Sequence, residues 1–448
     1  MHRIEDIEII NSNIDKLSNK AMLIYKTSYE PTLSESTSIY NELLNFIIKK
    51  KRIVYGGYAQ NELILMKNSN DGFYKDVDTP DIEFYSFEPI KDLIELCDYL
   101  KSKKFKYVQG SEGLHEGTYK IFVNFVNYCD ITYLPKNIYD NCKYIENKKK
   151  LRLADPYFML IDIYRVFTDP MTSYWRLDKT FKRYLRVYKY YPLTLTNTNI
   201  FFGSLSNENI LQVIRKEIIH NSNYIVVGSY AYNYYIKKVN NDTIKINFYE
   251  IITENINIEA QKIYIKLKKI YNDKITIKEY YPYFDYFDYR VEFLYENCVI
   301  LRVYNNNNRC IVFNESITKK TKFGTTQIIL LYLLSNYNYY ITNRNILESN
   351  NYISMFLKLS KAKNIYLDKK NITVLNNSPF QEFKFNCIGK PVSLERLDRL
   401  NMIKKRIENK PLKFRYEPKN DIGNAPAYVF DNLSGNQVLN QKYFIIKI

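Results

Sequence analysis

Three acids stand where they could do chemistry together. Asp81 and Glu83 are two apart in the run Thr79-Pro-Asp-Ile-Glu-Phe-Tyr-Ser86, and Asp130 lies in Tyr128-Cys-Asp-Ile-Thr-Tyr133. Alternation with apolar residues makes both runs strands, so Asp81 and Glu83 face the same way and are close enough to share metal ions. Carboxylate oxygens are the hard donors that Mg2+ and Mn2+ take, and a pair of such ions suits in-line displacement at a phosphate. Asp76-Val-Asp78 is a second alternating acidic pair, but Thr79-Pro80 follows it, so the strand starts too late to hold it.

The elements that must position these acids are legible around them. Residues 4–28 have helical spacing that Glu30-Pro31 breaks. Thr32-x-x-Glu35 then reads as a capping box for a helix with Ile39, Leu43, Phe46 and Ile47 on one face, closed by the basic cluster 49–52. Residues 53–55 form a short strand, Gly56-Gly57 a turn, and the chain to about Met66 a helix. Glu88-Pro89 introduces an amphipathic helix, and 105–108 and 119–125 read as strands joined by a Gly-rich loop at 110–117. Asp155-Pro156 opens an apolar helix, to Phe167, that must be buried. A further helix over 173–190 carries the stripe Leu177, Phe181, Tyr184, Leu185 and Tyr188, opposite a basic row of Arg176, Lys179, Arg183 and Arg186. Such a row is a solvated face or, beside a metal site, a set of phosphate contacts. Trp175, the only tryptophan, is either core or a stacking platform.

The unit recurs. Gly56-Gly-Tyr-Ala-Gln-Asn61 is echoed by Gly228-Ser-Tyr-Ala-Tyr-Asn233, and Ile82-Glu-Phe-Tyr85 by Ile246-Asn-Phe-Tyr249. The Asp130 strand has a counterpart in 299–304, and the buried helix has one after Gly324-Thr-Thr-Gln327. This matching sets Lys245 against Asp81 and Asn247 against Glu83, with no acid at the place of Asp130. The second copy is therefore expected to hold no metal and to serve packing, RNA contact or dimerisation.

Bulk properties bound the rest. The 448 residues exceed one core, 46% are hydrophobic, and the formal charge is +17. That charge favours an anionic partner, although A/T-rich codons would also raise Lys, Asn, Ile and Tyr together. Six cysteines without Cys-x-x-Cys spacing and three histidines predict neither a zinc site nor a disulfide framework. The acidic start is unlike a signal peptide, and the longest aliphatic run, Ile328 to Leu334, is too short to span a membrane, so a soluble intracellular protein is expected.

Strand, Gly-Gly, helix, Asp-x-Glu on a strand and a later strand Asp together resemble the nucleotidyltransferase superfamily of DNA polymerase beta, over residues 33–190 and, in degenerate form, 206–365. The tandem arrangement and composition look most like the poly(A) polymerases of poxviruses and other large cytoplasmic DNA viruses. The resemblance implies a mixed α/β (α+β) fold divided as a helical segment 1–32, a catalytic domain 33–195, a degenerate copy 196–345 and a mixed extension 346–448. It implies addition of AMP from ATP to RNA 3′ ends with two Mg2+ or Mn2+ ions. Asp81 and Glu83 would bridge both ions and Asp130 would hold the attacking-side one. Gly56 and Gly57 would admit backbone amides to the triphosphate, and Trp175, Arg176, Lys179 and Arg183 would meet the nucleotide. A homodimer or a separate processivity partner, and a cytoplasmic site of action in a viral factory or virion, are also implied. An oligoadenylate- or CCA-type transferase, or an inactive RNA-binding subunit, are the alternatives.

Overall fold

The computed structural model describes all residues except 1, 76–77, 116, 194–199, 201–207, 241, 285, 307–308, 319, 410–411 and 419–448. Asp76 of the alternative acidic pair, the loops expected over 420–436 and the strand expected at 443–448 lie outside the described residues.

The first sheet is built from β1 (Ile53–Tyr55), β2 (Ile82–Ser86), β3 (Gln109–Glu112), β4 (Thr118–Val123), β5 (Val126–Tyr133), β6 (Tyr144–Glu146) and β7 (Arg152–Ala154), in the order β3-β4-β5-β2-β1-β7-β6. The expected helices flank it. Helix Leu33–Lys50 starts at the Thr32 cap, whose hydroxyl accepts the Glu35 amide at 3.2 Å, and buries Ile39, Leu43, Phe46 and Ile47. Helix Pro89–Ser102 buries Leu93, Leu96, Cys97 and Leu100. Boundaries move: residues 105–108, expected as a strand, are not one, and the strand forms instead as β3 in the first part of the expected loop. Gly110 helps set this, because a Cβ there would stand 2.5 Å from Leu93 Cδ2, so the missing side chain lets this strand lie close on the helix.

The second sheet repeats the plan with β8 (Ile225–Val227), β9 (Tyr249–Thr253), β10 (Ile275–Tyr280), β11 (Arg290–Tyr295), β12 (Cys298–Asn305), β13 (Ile311–Ser316) and β14 (Thr321–Gly324), in the order β10-β11-β12-β9-β8-β14-β13. Each of the six neighbouring pairs has the same parallel or antiparallel sense as its counterpart in the first sheet. The chain end adds one strand to each sheet: β15 (Cys387–Ile388) beside β13, and β16 (Arg415–Tyr416) beside β3.

By packing, one compact unit gathers Met1–Leu134, Tyr144–Ala154 and the stretch from Asp398. The other gathers Pro135–Lys143 and Asp155–Leu397. These units differ from the sequence blocks 33–195, 196–345 and 346–448. Helix Pro156–Thr168, capped by Asp155 through the amides of Tyr157 and Phe158, packs on helix Thr326–Thr342 in the second unit. Helix Ile346–Lys370, unforeseen in the Asn- and Lys-rich sequence, packs there too and buries Tyr352, Met355, Phe356 and Leu359. The cysteine expectation also needs correcting, since Cys310 and Cys387 form a disulfide between β13 and β15. The partners are 77 residues apart, so no local spacing announces them. Among the described residues, no helix is long and apolar enough to cross a membrane.

Candidate active site

In the first unit, β2 begins at Ile82, which leaves Asp81 exposed just before the strand and Glu83 half-buried within it. Glu83 lies directly beside Asp130 in the parallel β2–β5 register, so the two carboxylates leave the same face of the sheet. Two side chains fix Asp130. Lys120, opposite it on β4, puts its Nζ 2.9 and 2.7 Å from the two carboxylate oxygens, and Asn127 Nδ2 donates to Oδ1 at 3.0 Å. Glu83 accepts the Gly57 amide at 3.0 Å. Gly56 has φ +70°, and a Cβ there would stand 1.7 Å from Glu83 Oε2. The glycine turn thus houses a carboxylate, and the Gly57 amide is directed at Glu83.

The negative field of the three acids converges. The buried Cys129 thiol is pushed well up, first by burial and then by Asp130, Asp81 and Glu83. The all-oxygen donor set and this shared field fit hard divalent cations. Among the described residues, however, no three His, Cys, Asp or Glu side chains already form a metal-holding group. Lys120 and Asn127 hold Asp130, while the Gly57 amide holds Glu83.

Of the expected nucleotide contacts, Gly56 and Gly57 lie in the first unit and Trp175, Arg176, Lys179 and Arg183 in the second. Trp175 is not core: it is 68% exposed, on the turn before helix Leu177–Tyr190, with the Arg176 guanidinium 5.0 Å from its ring. Lys179 is exposed and Arg183 partly covered. Much of the expected apolar stripe is exposed as well, including Phe181, Leu185 and Tyr188.

The second sheet corrects the sequence matching. Gly228 has φ +64°, and a Cβ there would stand 1.8 Å from Glu250 Oε2, as Gly56 does toward Glu83. Val227 pairs with Glu250 as Tyr55 pairs with Glu83, so Glu250, not Asn247, is the counterpart of Glu83. Phe248 then stands for Asp81, and Lys245 is an exposed residue outside the strand. Arg302 pairs with Glu250 as Asp130 pairs with Glu83, and Glu292 faces Arg302 as Lys120 faces Asp130. The second copy therefore keeps one acid and places a guanidinium where Asp130 would be. Arg302 lies 3.2 Å from Glu250, 2.8 Å from Glu292 and 4.9 Å from the centre of the Phe248 ring.

Comparisons with known proteins find relatives along nearly the whole chain. The family described as "Poly(A) polymerase catalytic subunit" covers residues 41–173, and "APMV, Putative poly(A) polymerase, catalytic subunit, C-terminal" covers 186–448. A "Putative poly(A) polymerase catalytic subunit" of Acanthamoeba polyphaga mimivirus is 32% identical over 99% of this chain and 84% of its own length. The chain belongs to the poly(A) polymerase catalytic subunit family. The family's African swine fever virus members reach 32% identity over 36% of this chain and 34% of their own. The crystal structure of the Megavirus polyadenylate synthase superposes with a TM-score of 0.92, at 32% identity, over 99% of this chain and 94% of that one. As a poly(A) polymerase family member the chain is a nucleotidyltransferase, and the mixed α/β fold with two like sheets is the family's fold.

Sequence reasoning missed Lys120 and Asn127 at the site. Both lie on the β4–β5 hairpin, but counting back from the Val123–Val126 pair sets Lys120 opposite Cys129. A bulge between Ile121 and Phe122 moves it one place, to Asp130.

Proposed function

We propose that β2 and β5 carry the adenylyl-transfer centre of a template-independent poly(A) polymerase that adds AMP from ATP to RNA 3′ ends. The pairing of Glu83 with Asp130, with Asp81 two residues before Glu83, supports this reading most directly. Asp81 and Glu83 would hold two Mg2+ or Mn2+ ions, and Asp130 the one on the attacking side. Held by these acids, such ions would supply Lewis-acid stabilisation of the attacking 3′-oxygen and of the leaving pyrophosphate. The chain's own residues set the geometry: the Gly57 amide orients Glu83, the missing Cβ of Gly56 gives it room, and Asn127 orients Asp130. Trp175 with Arg176, Lys179 and Arg183 offers an open ring beside cations, the combination that bases and phosphates use. The charge of +17 favours RNA as the partner. The second copy serves RNA contact or a homodimer, or else a separate partner supplies processivity; the reaction takes place in the host cytoplasm. Sedimentation at micromolar concentration tests the homodimer, and a lone monomer rejects it.

The deciding experiment offers a short RNA primer each of the four nucleotides with Mg2+ or Mn2+. Extension with ATP is expected. The double variant Asp81→Ala/Glu83→Ala should show none while its thermal unfolding is unchanged; full activity in it would reject the site. Extension by CTP, or a 2′–5′ linkage, would point to a different transferase.

A further inference from the structure

We propose that Lys120 is a displaceable counter-cation of Asp130, a positioning residue that occupies the carboxylate until a divalent ion takes its place. The inference rests on Asp130 being a metal ligand, as proposed above.

Three observations carry it. First, Lys120 spans both oxygens of Asp130, and Asn127 takes a further position on one of them, so in this state the carboxylate is bound by protein donors. An ammonium against both oxygens opposes a second cation at the same atoms, by like-charge repulsion as well as by occupancy. Second, the same place in the second copy holds the same pair with the charges exchanged across the strands, Glu292 on β11 and Arg302 on β12. Both copies thus put a side-chain cation between these two strands. Third, the two cations differ in how firmly they are held. Arg302 is 4% exposed, sits between Glu250 and Glu292, and lies over the Phe248 ring. Lys120 is 32% exposed, contacts the single acid Asp130, and is a flexible point charge. The fixed guanidinium closes the second copy, whereas the ammonium of the first can swing out.

The test measures binding of Mn2+ alone, as loss of the free-ion electron paramagnetic resonance signal, without RNA or nucleotide. The proteins are wild type, Lys120→Met, Lys120→Gln and Asp130→Asn, all full-length and checked for an unchanged thermal transition. Both Lys120 variants should bind Mn2+ about tenfold more tightly than wild type, and the Mn2+ concentration for half-maximal extension should fall in step while maximal rate changes less. Asp130→Asn should weaken binding. If the Lys120 variants bind Mn2+ equally or more weakly while Asp130→Asn still loses it, the counter-cation role is rejected and the metal site stands. If Asp130→Asn binds like wild type, the metal site itself is rejected. Should Lys120→Met lose its fold, Lys120→Gln, which keeps a polar group on the partly exposed strand, decides alone.

Discussion

The two sheets share topology, register and even a hairpin bulge, yet one displays its charges and the other seals them. The bulge lies between Ile121 and Phe122 in the first and between Phe293 and Leu294 in the second. In both, a glycine with positive φ makes room for a glutamate. What differs is three side chains: Asp81 against Phe248, Asp130 against Arg302, and Lys120 against Glu292. Those exchanges turn an open group of acids into a buried network in which Tyr304 donates to Glu250 at 3.0 Å and Tyr280 to Glu292 at 3.0 Å. The backbone plan does not by itself confer chemistry. In the proposed reading the sign of the charge at one strand position does: Arg302 puts a buried cation at the place of Asp130, while Lys245 lies outside the strand.

The strongest way to break this comparison is to change the paired positions separately. Asp130→Asn should lower primer extension by about a thousandfold or more with little change in thermal unfolding. Arg302→Ala should leave extension per folded molecule nearly unchanged. It should cost the second unit about 3–5 kcal/mol, because Glu250 and Glu292 lose their shared cation in a buried setting. Hydrogen exchange resolved by unit separates the two effects; a catalytic defect in Arg302→Ala at full stability would reject the division of roles.

The pH dependence sharpens it further. Burial by itself would raise the Glu292 carboxyl, but Arg302 and Arg290 outweigh it and hold it below its ordinary value. A depressed carboxylate stabilises the fold fully above its unfolded pKa, and that stabilisation is lost as pH falls through the folded value. Acid titration should therefore lower the melting temperature of the second unit below about pH 4. In Arg302→Met the sign should reverse, with the second unit losing stability as pH rises, because Glu292 is then buried with less compensation. Thermal melts from pH 3 to 8 read both.

The glycines give a smaller, symmetric test. Gly56→Ala and Gly228→Ala each force a side chain into positive φ, costing about 1–2 kcal/mol, and displace a glutamate. Gly56→Ala should also cut extension sharply, since Glu83 must move. Gly228→Ala should act on stability alone. Equal loss of activity in both would show that the second copy takes part in the reaction.

The smallest effect is expected at the exposed ring. Trp175→Ala should leave stability within about 0.5 kcal/mol and weaken RNA or ATP binding by about 1–3 kcal/mol, read by fluorescence titration. Unchanged binding of both would remove Trp175 from the proposed ligand contacts.

By itself the sequence determined the local elements and the duplication. The Thr32 and Asp155 caps, the strand at 53–55 and the buried helix at 156 are set by neighbouring residues, through orphan amides and apolar spacing that one stretch of chain reveals. The two runs carrying Asp81, Glu83 and Asp130 were legible for the same reason. Tertiary structure alone decided which residues face one another. The Ile-x-Phe-Tyr match led to Asn247, whereas the register set by Gly228 against Glu250 moved the counterpart three residues on. A one-residue bulge placed Lys120 on Asp130 and Glu292 on Arg302. The physical reason lies in the period of two along a strand: a slip of one residue exchanges the faces of the sheet, and composition carries no mark of that slip. The disulfide between Cys310 and Cys387 was hidden likewise, because only the pairing of β13 with β15 brings its halves together.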